Sequence, residues 1–201
     1  MTPISRGFSG RPRRDVDPSR VPPGQYVVTD FPVLSAGPTP RADLADWQFT
    51  IDGAVDASAS WTWEELNALP QETFTVDIHC VTKWTKLDTQ WAGVSVDTLL
   101  EGVETGADYV TAWSDGGYTT NLPLEDVTDG KAWIVHTFDG EPLDAEHGGP
   151  ARLLVPHLYF WKSAKWVRGL TLTISDEPGF WEAAGYHNRG DPWREQRYWN
   201  D

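Results

Sequence analysis

Apolar and polar residues alternate most clearly over residues 73–79, where Phe74, Val76 and Ile78 are separated by polar side chains. This period of two is typical of a strand with one buried face. The pattern stops just before Cys80, the only cysteine of the chain. Because strand ends that open into loops combine an anchored backbone with an accessible side chain, Cys80 is a candidate for chemistry.

Shorter patterns of the same kind predict further strands, at 25–29, 47–51, 109–113, 133–138, 151–155 and 167–174. Thr62 and Glu65 have the spacing of a capping box, which predicts a helix that ends near Ala68. Ser95 is expected to cap a second short helix over 96–100. Few short helices among many strands, joined by Asp-Gly and Pro turns, indicate an α+β fold with a mixed, mostly β sheet.

The 201 residues are enough for one domain with a substantial core. Residues 1–24 are rich in Pro, Gly, Arg and Ser, so we predict a flexible N-terminal arm followed by a domain over 25–201. The pair Arg13-Arg14 lacks the apolar stretch of a twin-arginine export signal, which predicts a cytoplasmic protein. No apolar run reaches the ~18 residues that cross a bilayer, so stable membrane insertion is not expected.

Charge and cysteine content narrow the possible functions. A net charge of -14 disfavours nucleic acid as a partner, because its phosphates would be repelled. A single cysteine excludes an intrachain disulfide, a CxxCH haem attachment and a four-cysteine iron–sulfur cluster. If the protein is a redox enzyme, it therefore needs an external electron-transfer partner, a haem protein or another redox protein.

Two readings of Cys80 follow from the residues alone. A lone cysteine is most often a small buried apolar side chain. Nearby Lys83 and Lys86 would instead stabilise a thiolate, as in a metal ligand or a nucleophile. A nucleophile would need a distant histidine, because neighbouring His79 points to the opposite face of an extended segment.

Three segments resemble, in the right order, the sulfite oxidase family of molybdopterin-dependent oxidoreductases. The first reads His-Cys-Val-Thr-Lys-Trp over 79–84 and continues with Trp-Ala-Gly-Val over 91–94. The others lie within 147–169 and 177–193, and the resemblance extends from about Gln25 to the C-terminus. The third segment resembles the tail of short single-domain prokaryotic members, related to the catalytic subunit of the bacterial methionine-sulfoxide reductase system. The resemblance implies their barrel-like β core.

This resemblance implies a cofactor, Mo-molybdopterin, with Cys80 as the molybdenum ligand. The residues that it assigns to cofactor binding are His79, Cys80, His147, Arg152, His157, Lys162, Ser163, Ala164 and Lys165. Cationic side chains and small residues in a turn suit the phosphate of the pterin. Lys83 and Lys86 are the catalytic candidates beside Cys80, since a negative substrate such as sulfite needs a cation near the metal. Ser35 is a further candidate neighbour, at a position where relatives often carry histidine.

The implied activity is two-electron oxo transfer on a small sulfur or nitrogen oxo substrate, either sulfite oxidase-like or sulfoxide reductase-like. The arginine-bearing loop of true sulfite oxidases is not matched after Cys80, where the chain reads Val-Thr-Lys-Trp. A sulfoxide or another small S- or N-oxide is therefore an open alternative to an oxoanion. Two other functions also stay open: a non-catalytic pterin-binding module and a cysteine-nucleophile enzyme.

Overall fold

Eleven strands and three short α-helices form the part of the chain that the computed structural model describes, residues 16–201. The strands are β1 (Tyr26–Val28), β2 (Gln48–Gly53), β3 (Ala59–Thr62), β4 (Glu72–His79), β5 (Trp84–Ser95), β6 (Tyr109–Ser114), β7 (Thr119–Pro123), β8 (Trp133–Phe138), β9 (Glu141–Pro142), β10 (Arg152–Leu154) and β11 (Val167–Thr173). The helices are α1 (Trp63–Ala68), α2 (Val96–Leu100) and α3 (Phe180–Ala183).

Strand β5 organises the first of two mixed sheets. It pairs with β1 in parallel and with β4 and β8 antiparallel, and β8 in turn pairs with β9 and β10. Between Val76 and Ile78 of β4 the register shifts, and Asp88 of β5 has a positive φ of 55° there. This bulge interrupts the alternation along β5, which is why the sequence does not reveal the longest strand of the fold.

The second sheet has the strand order β3-β2-β11-β6-β7, with β2 and β11 parallel. Its inner face and that of the first sheet enclose one apolar core, to which β2 contributes the fully buried Phe49 and Ile51. The alternation of apolar residues over 47–51 predicts this arrangement. The α+β class with a mixed, mostly β core is confirmed.

Both predicted helices are present and begin at the predicted caps. Thr62 Oγ1 accepts a hydrogen bond from Glu65 N at 3.2 Å, and the Glu65 carboxylate accepts one from Thr62 N at 2.8 Å. At the start of α2, Ser95 Oγ accepts a hydrogen bond from Asp97 N at 3.2 Å. All seven predicted strands exist, whereas β3, β5, β7 and β9 were not predicted.

The described part of the predicted N-terminal arm, residues 16–24, lies against the domain. Arg20 makes ion pairs of 2.6 Å with Asp77 of β4 and with Asp88 of β5. The packed chain thus begins before the predicted boundary at residue 24. The Arg13-Arg14 pair lies outside the described residues. Within residues 16–201, no helix has the length and apolar character needed to cross a membrane.

Candidate cofactor site

A cavity of about 620 Å³ lies where five parts of the fold meet. These are the turn between β4 and β5, the loop over 31–40, the turn over 115–118, the segment 147–166 and the start of the C-terminal segment. Six residues assigned from the sequence line this one cavity: Cys80, His147, Arg152, Ser163, Ala164 and Lys165. Ser35, the predicted neighbour of the cofactor, also lines the cavity.

Cys80 is held in the turn of the β4–β5 hairpin. Its N–H donates to Trp84 O at 2.8 Å and its carbonyl accepts from Lys83 N at 3.0 Å, with Lys83 in a left-handed conformation (φ 75°). The side chain is 8% exposed, and Thr82 Oγ1 donates to its sulfur at 3.2 Å. Burial raises the pKa of the Cys80 thiol. The free thiol is therefore a poor nucleophile at neutral pH, whereas a bound metal ion would deprotonate it.

Arg152 carries a buried positive charge on the cavity wall. Its side chain is 1% exposed, with Nη1 donating to His147 O and Nη2 donating to Ser163 O, both at 2.7 Å. The guanidinium lies 4.0 Å from the ring centroid of Phe160, and burial lowers the pKa of Arg152. Among the described residues no carboxylate forms an ion pair with it. A buried cation without a counter-ion is costly, so this position favours an anionic ligand.

Lys165 is a second cation on the same wall. Its Nζ donates to Leu34 O at 2.7 Å and to Glu146 O at 2.5 Å. Burial, followed by the nearby charge of Arg152, lowers the pKa of Lys165 to about 8. In a chain with a net charge of -14, two cations that bond only to carbonyl groups form a distinctive site for a phosphate.

Gly148 allows these two cationic segments to approach each other. Its φ is +111°, and a Cβ atom there would lie 3.0 Å from Lys165 Cα and 3.1 Å from Arg152 Cβ. Only glycine adopts this conformation without strain, and only glycine leaves room for both neighbours. On the other side, the ring of Phe31 stacks on His147, with centroids 3.8 Å apart, and covers this part of the cavity.

The structure does not bring His79, Lys83 or Lys86 to the cavity wall. His79 Nδ1 shares a hydrogen bond of 2.9 Å with Thr85 Oγ1, and burial lowers the pKa of His79 to about 4. Lys86 Nζ donates to Thr29 O at 2.8 Å. Alternation along β4 explains the position of His79, which directly precedes Cys80 and points to the opposite face. The expected cofactor contact of His79 and the catalytic roles of both lysines therefore have no geometric support.

Lys162 and His157 also lie elsewhere. Lys162 is fully buried and its Nζ forms an ion pair of 2.6 Å with Glu182. His157 borders a second, open groove, where its Nε2 lies 3.2 Å from the Asp126 carboxylate. Arg189 donates two hydrogen bonds to the same carboxylate, at 2.9 and 3.0 Å, and these partners hold the pKa of Asp126 far below its usual range although burial alone would raise it. Lys162 and His157 lie within the resembling segment, but their side chains point away from the cavity.

Sequence reasoning missed the aromatic part of the wall, formed by Tyr118, Phe180, Trp181 and Tyr186. Tyr118 OH donates to Trp161 O at 2.6 Å. Burial raises the pKa of Tyr118 and of Tyr186. Tyr186 lies within the third resembling segment, which gave the only sequence signal for it.

The residues present fit a large polar cofactor. Three lining residues each keep a buried nitrogen without a hydrogen-bond partner in the described part of the chain: Trp84 Nε1, His147 Nδ1 and Arg152 Nε. Buried polar atoms are normally satisfied, so these atoms indicate a missing polar partner. A thiol and an uncompensated buried cation in one cavity supply what a metal-binding pterin with a phosphate requires.

Comparison with known proteins agrees with this geometry. Residues 36–181 match the family model described as the oxidoreductase molybdopterin binding domain. The chain belongs to this family. The predicted resemblance to the sulfite oxidase family is thus confirmed, and so is molybdopterin as the cofactor. The chain is a molybdopterin-binding oxidoreductase domain.

Among the relatives, the uncharacterized oxidoreductase YuiH of Bacillus subtilis is 45% identical over 194 residues, covering 95% of this chain and 98% of YuiH. A protein of Azospira oryzae named as the protein-methionine-sulfoxide reductase subunit YedZ1 is 30% identical over 149 residues. That match covers 73% of this chain and 56% of YedZ1. The NADPH nitrate reductase of Fusarium oxysporum is 28% identical over 188 residues, which cover 78% of this chain and 21% of that enzyme.

A solved structure shares the fold. The sulfane dehydrogenase SoxCD of Paracoccus pantotrophus superposes with a TM-score of 0.62 at 24% identity, covering 69% of this chain and 41% of the SoxCD chain. The chain thus spans most of YuiH but about half or less of the other relatives. The activities of these longer relatives therefore do not define the activity of this chain.

Proposed function

We propose that this protein catalyses two-electron oxo transfer on a small sulfur or nitrogen oxo substrate, with molybdenum held by molybdopterin. One observation carries the proposal: the only thiol of the chain lines the same cavity as the buried Arg152 and the cationic Lys165. A packing cysteine would have no reason to share a cavity with an uncompensated guanidinium. The family assignment supplies the identity of the cofactor.

In this proposal Cys80 is the protein ligand of molybdenum, and Arg152 and Lys165 hold the pterin phosphate. His147 offers a ring nitrogen without a protein partner and is stacked in place by Phe31. The bound cofactor supplies an exchangeable oxo group and a two-electron change at the metal. The protein fixes the cofactor's orientation and covers it with loop 31–40, which excludes water.

The substrate side of the cavity favours a neutral S- or N-oxide over an anion. The lining cations, Arg152 and Lys165, are engaged by the pterin in this proposal, and the lining contains neither Lys83 nor Lys86. Asp115 and a set of aromatic side chains border the remaining space. Without a free cation nearby, burying sulfite or nitrate would cost its full desolvation. The name of the relative YedZ1, a sulfoxide reductase subunit, is consistent with this preference.

Electrons for the reaction come from an external redox protein, because one cysteine cannot hold a haem of the CxxCH type or an iron–sulfur cluster. That partner, haem-bearing or otherwise, and the cytoplasmic location stay predictions. So do the absence of nucleic acid among the partners and the absence of stable membrane insertion.

The test is to purify the protein from cells supplied with molybdate and to measure molybdenum and oxidised-pterin fluorescence per chain. The loaded protein is then assayed with reduced viologen against a dialkyl sulfoxide and an amine N-oxide, and with ferricyanide against sulfite. We expect turnover of the S- or N-oxide and little of sulfite. Pterin-loaded protein without turnover would favour the binding module. Activity that is metal-free and lost on iodoacetamide treatment would favour the cysteine nucleophile.

A further inference from the structure

A buried ion pair joins the pterin-side turn to the C-terminal segment. Lys162 Nζ lies 2.6 Å from the Glu182 carboxylate, and the two side chains are 0% and 1% exposed. Lys162 ends the short 3-10 turn Phe160–Lys162, directly before Ser163 on the cavity wall, and Glu182 lies in α3. A buried pair of this kind seldom stabilises a fold more than apolar residues of the same size would. Its presence therefore calls for a role other than stability.

Every donor of the Lys162 ammonium group has a partner. Besides Glu182, Nζ donates to Asn121 O in β7 and to Asn188 O in the C-terminal segment, both at 2.6 Å. Glu182 Oε1 also accepts from Thr120 Oγ1 at 2.9 Å and from Trp161 Nε1 at 2.8 Å. The pair is thus the centre of a hydrogen-bond network that holds the C-terminal segment against β7 and against the turn Phe160–Lys162.

The fastened segment supplies the aromatic wall of the cavity. Glu182 stands between two lining residues, Trp181 and Tyr186, whose ring centroids are 5.0 Å apart. Tyr186 also packs edge-on against Trp161, a lining residue of the turn, at 5.2 Å. At Gly190 (φ +79°) a Cβ atom would lie 2.6 Å from the Trp161 ring, so the chain passes that ring as closely as glycine permits.

We propose that Lys162 and Glu182 are positioning residues, which set the place of Trp181 and Tyr186 relative to the pterin-binding turn and so shape the substrate end of the cavity. The family resemblance assigned Lys162 to the cofactor, whereas its three contacts leave no donor for a phosphate. The inference rests on the proposed function only in taking the aromatic wall to face the substrate. The ion pair holds the C-terminal segment against the turn in the metal-free protein as well.

The test compares two double variants, Lys162→Met/Glu182→Leu and Lys162→Gln/Glu182→Gln, with wild type. Apolar replacement of both partners should leave the protein folded, whereas removing one partner alone would strand a buried charge. We expect retained molybdenum and pterin content, a changed near-UV circular dichroism spectrum, and a KM for the S- or N-oxide raised about tenfold with kcat changed less. Arg20→Met, which removes two ion pairs outside the cavity, is the control and should change neither spectrum nor KM.

Two results would overturn the proposal. A wild-type near-UV spectrum and KM in the double variant would make the pair purely structural. Loss of pterin with an unchanged aromatic spectrum would make Lys162 a cofactor ligand. If the apolar double variant does not fold, Lys162→Gln/Glu182→Gln, which removes both charges and keeps hydrogen-bonding groups in their place, is judged by the same two measurements. If wild type binds no molybdenum, the proposed function fails, yet the spectra of the metal-free proteins still decide the positioning role.

Discussion

The Thr82 hydroxyl donates a hydrogen bond to the Cys80 sulfur at 3.2 Å, within the same hairpin turn. The backbone bond from Cys80 N to Trp84 O, 2.8 Å long, closes that turn. The sulfur is thereby presented to the cavity while His79 and the lysines of the hairpin point elsewhere. The turn thus places the Cys80 sulfur, a ligand suited to molybdenum, at the cavity wall without a histidine or lysine of the same hairpin.

Replacing Cys80 by Ser should abolish oxo transfer and strip molybdenum from the purified protein, because a hydroxyl is a much poorer ligand than a thiolate. The fold should persist, since the substitution is nearly isosteric, with the melting temperature within about 4 °C of wild type. Metal analysis, turnover assays and thermal circular dichroism check these outcomes. Wild-type turnover in this variant would refute the metal-ligand assignment.

Thr82→Val is the matched control for that experiment. It removes the hydrogen bond to the sulfur and leaves the thiol in place, at a cost to stability of about 1 kcal/mol. Molybdenum content should stay near the wild-type value. Equal metal loss in both variants would mean that the shape of the turn, rather than the thiolate, retains the metal.

Arg152→Met should lower the pterin content of the purified protein about tenfold or more, equivalent to a loss of at least roughly 1.4 kcal/mol in binding. The variant removes the buried cation that faces the cavity without a carboxylate partner. Arg152→Lys should rescue binding only in part, because an ammonium group cannot reproduce the planar guanidinium that bridges His147 O and Ser163 O. Pterin fluorescence after oxidation measures the content.

Arg168→Met provides the comparison for Arg152, since Arg168 is a cation of the same region outside the cavity lining. Its guanidinium pairs with Asp115 at 3.6 Å. Pterin content should not change in this variant. A similar loss at both positions would attribute binding to general charge rather than to the Arg152 site.

The strands that alternate cleanly could be read from the sequence, and β8 was predicted with its observed bounds Trp133–Phe138. Strand β5 could not, because the bulge at Asp88 shifts its pattern by one residue. The capping motif of Thr62 and Glu65 was readable because it depends on backbone groups three residues apart. Local patterns were thus predictable where no long-range pairing disturbed them.

The candidate site was predictable to the level of segments but not of side-chain directions. The resembling segments contain both Ser163, which lines the cavity, and Lys162, which turns into the interior toward Glu182. No local pattern separates these neighbours, since the partner of Lys162 lies in α3. The aromatic wall with Tyr186 depends in the same way on where the C-terminal segment packs.

Cofactor binding should weaken as pH rises through about 8, the pKa to which burial lowers Lys165. The ammonium form of Lys165 binds the phosphate, and this form predominates below pH 8 and is largely lost above it. At pH 9 roughly one tenth of the metal-free protein carries the charge, so the apparent affinity for the pterin should be about tenfold lower than at pH 7. Reconstitution of metal-free protein at both pH values measures the ratio.

The lowered pKa of Lys165 has the opposite effect on the stability of the metal-free fold, which rises with pH. Because the folded pKa of Lys165 lies below its ordinary value, protonation opposes folding at pH below about 8, and this penalty is relieved as pH rises toward the pKa of the unfolded chain.

The control for the binding prediction is Lys165→Arg, which stays charged throughout, so its affinity for the pterin should not change between pH 7 and pH 9. An equally steep decline in Lys165→Arg would assign the pH effect to another group.

Gly148→Ala should reduce both stability and pterin retention. Alanine at φ +111° is strained by roughly 1 kcal/mol, and its Cβ would push Lys165 and Arg152 apart. Gly102→Ala is the matched control, because Gly102 also has a positive φ (+79°) but no atom within 4 Å of an added Cβ. Denaturant unfolding of both metal-free variants should show a loss of about 1 kcal/mol for Gly102→Ala and more for Gly148→Ala. Pterin content should fall in Gly148→Ala alone, and a parallel fall in Gly102→Ala would show that general destabilisation, rather than the spacing of the two cations, limits cofactor retention.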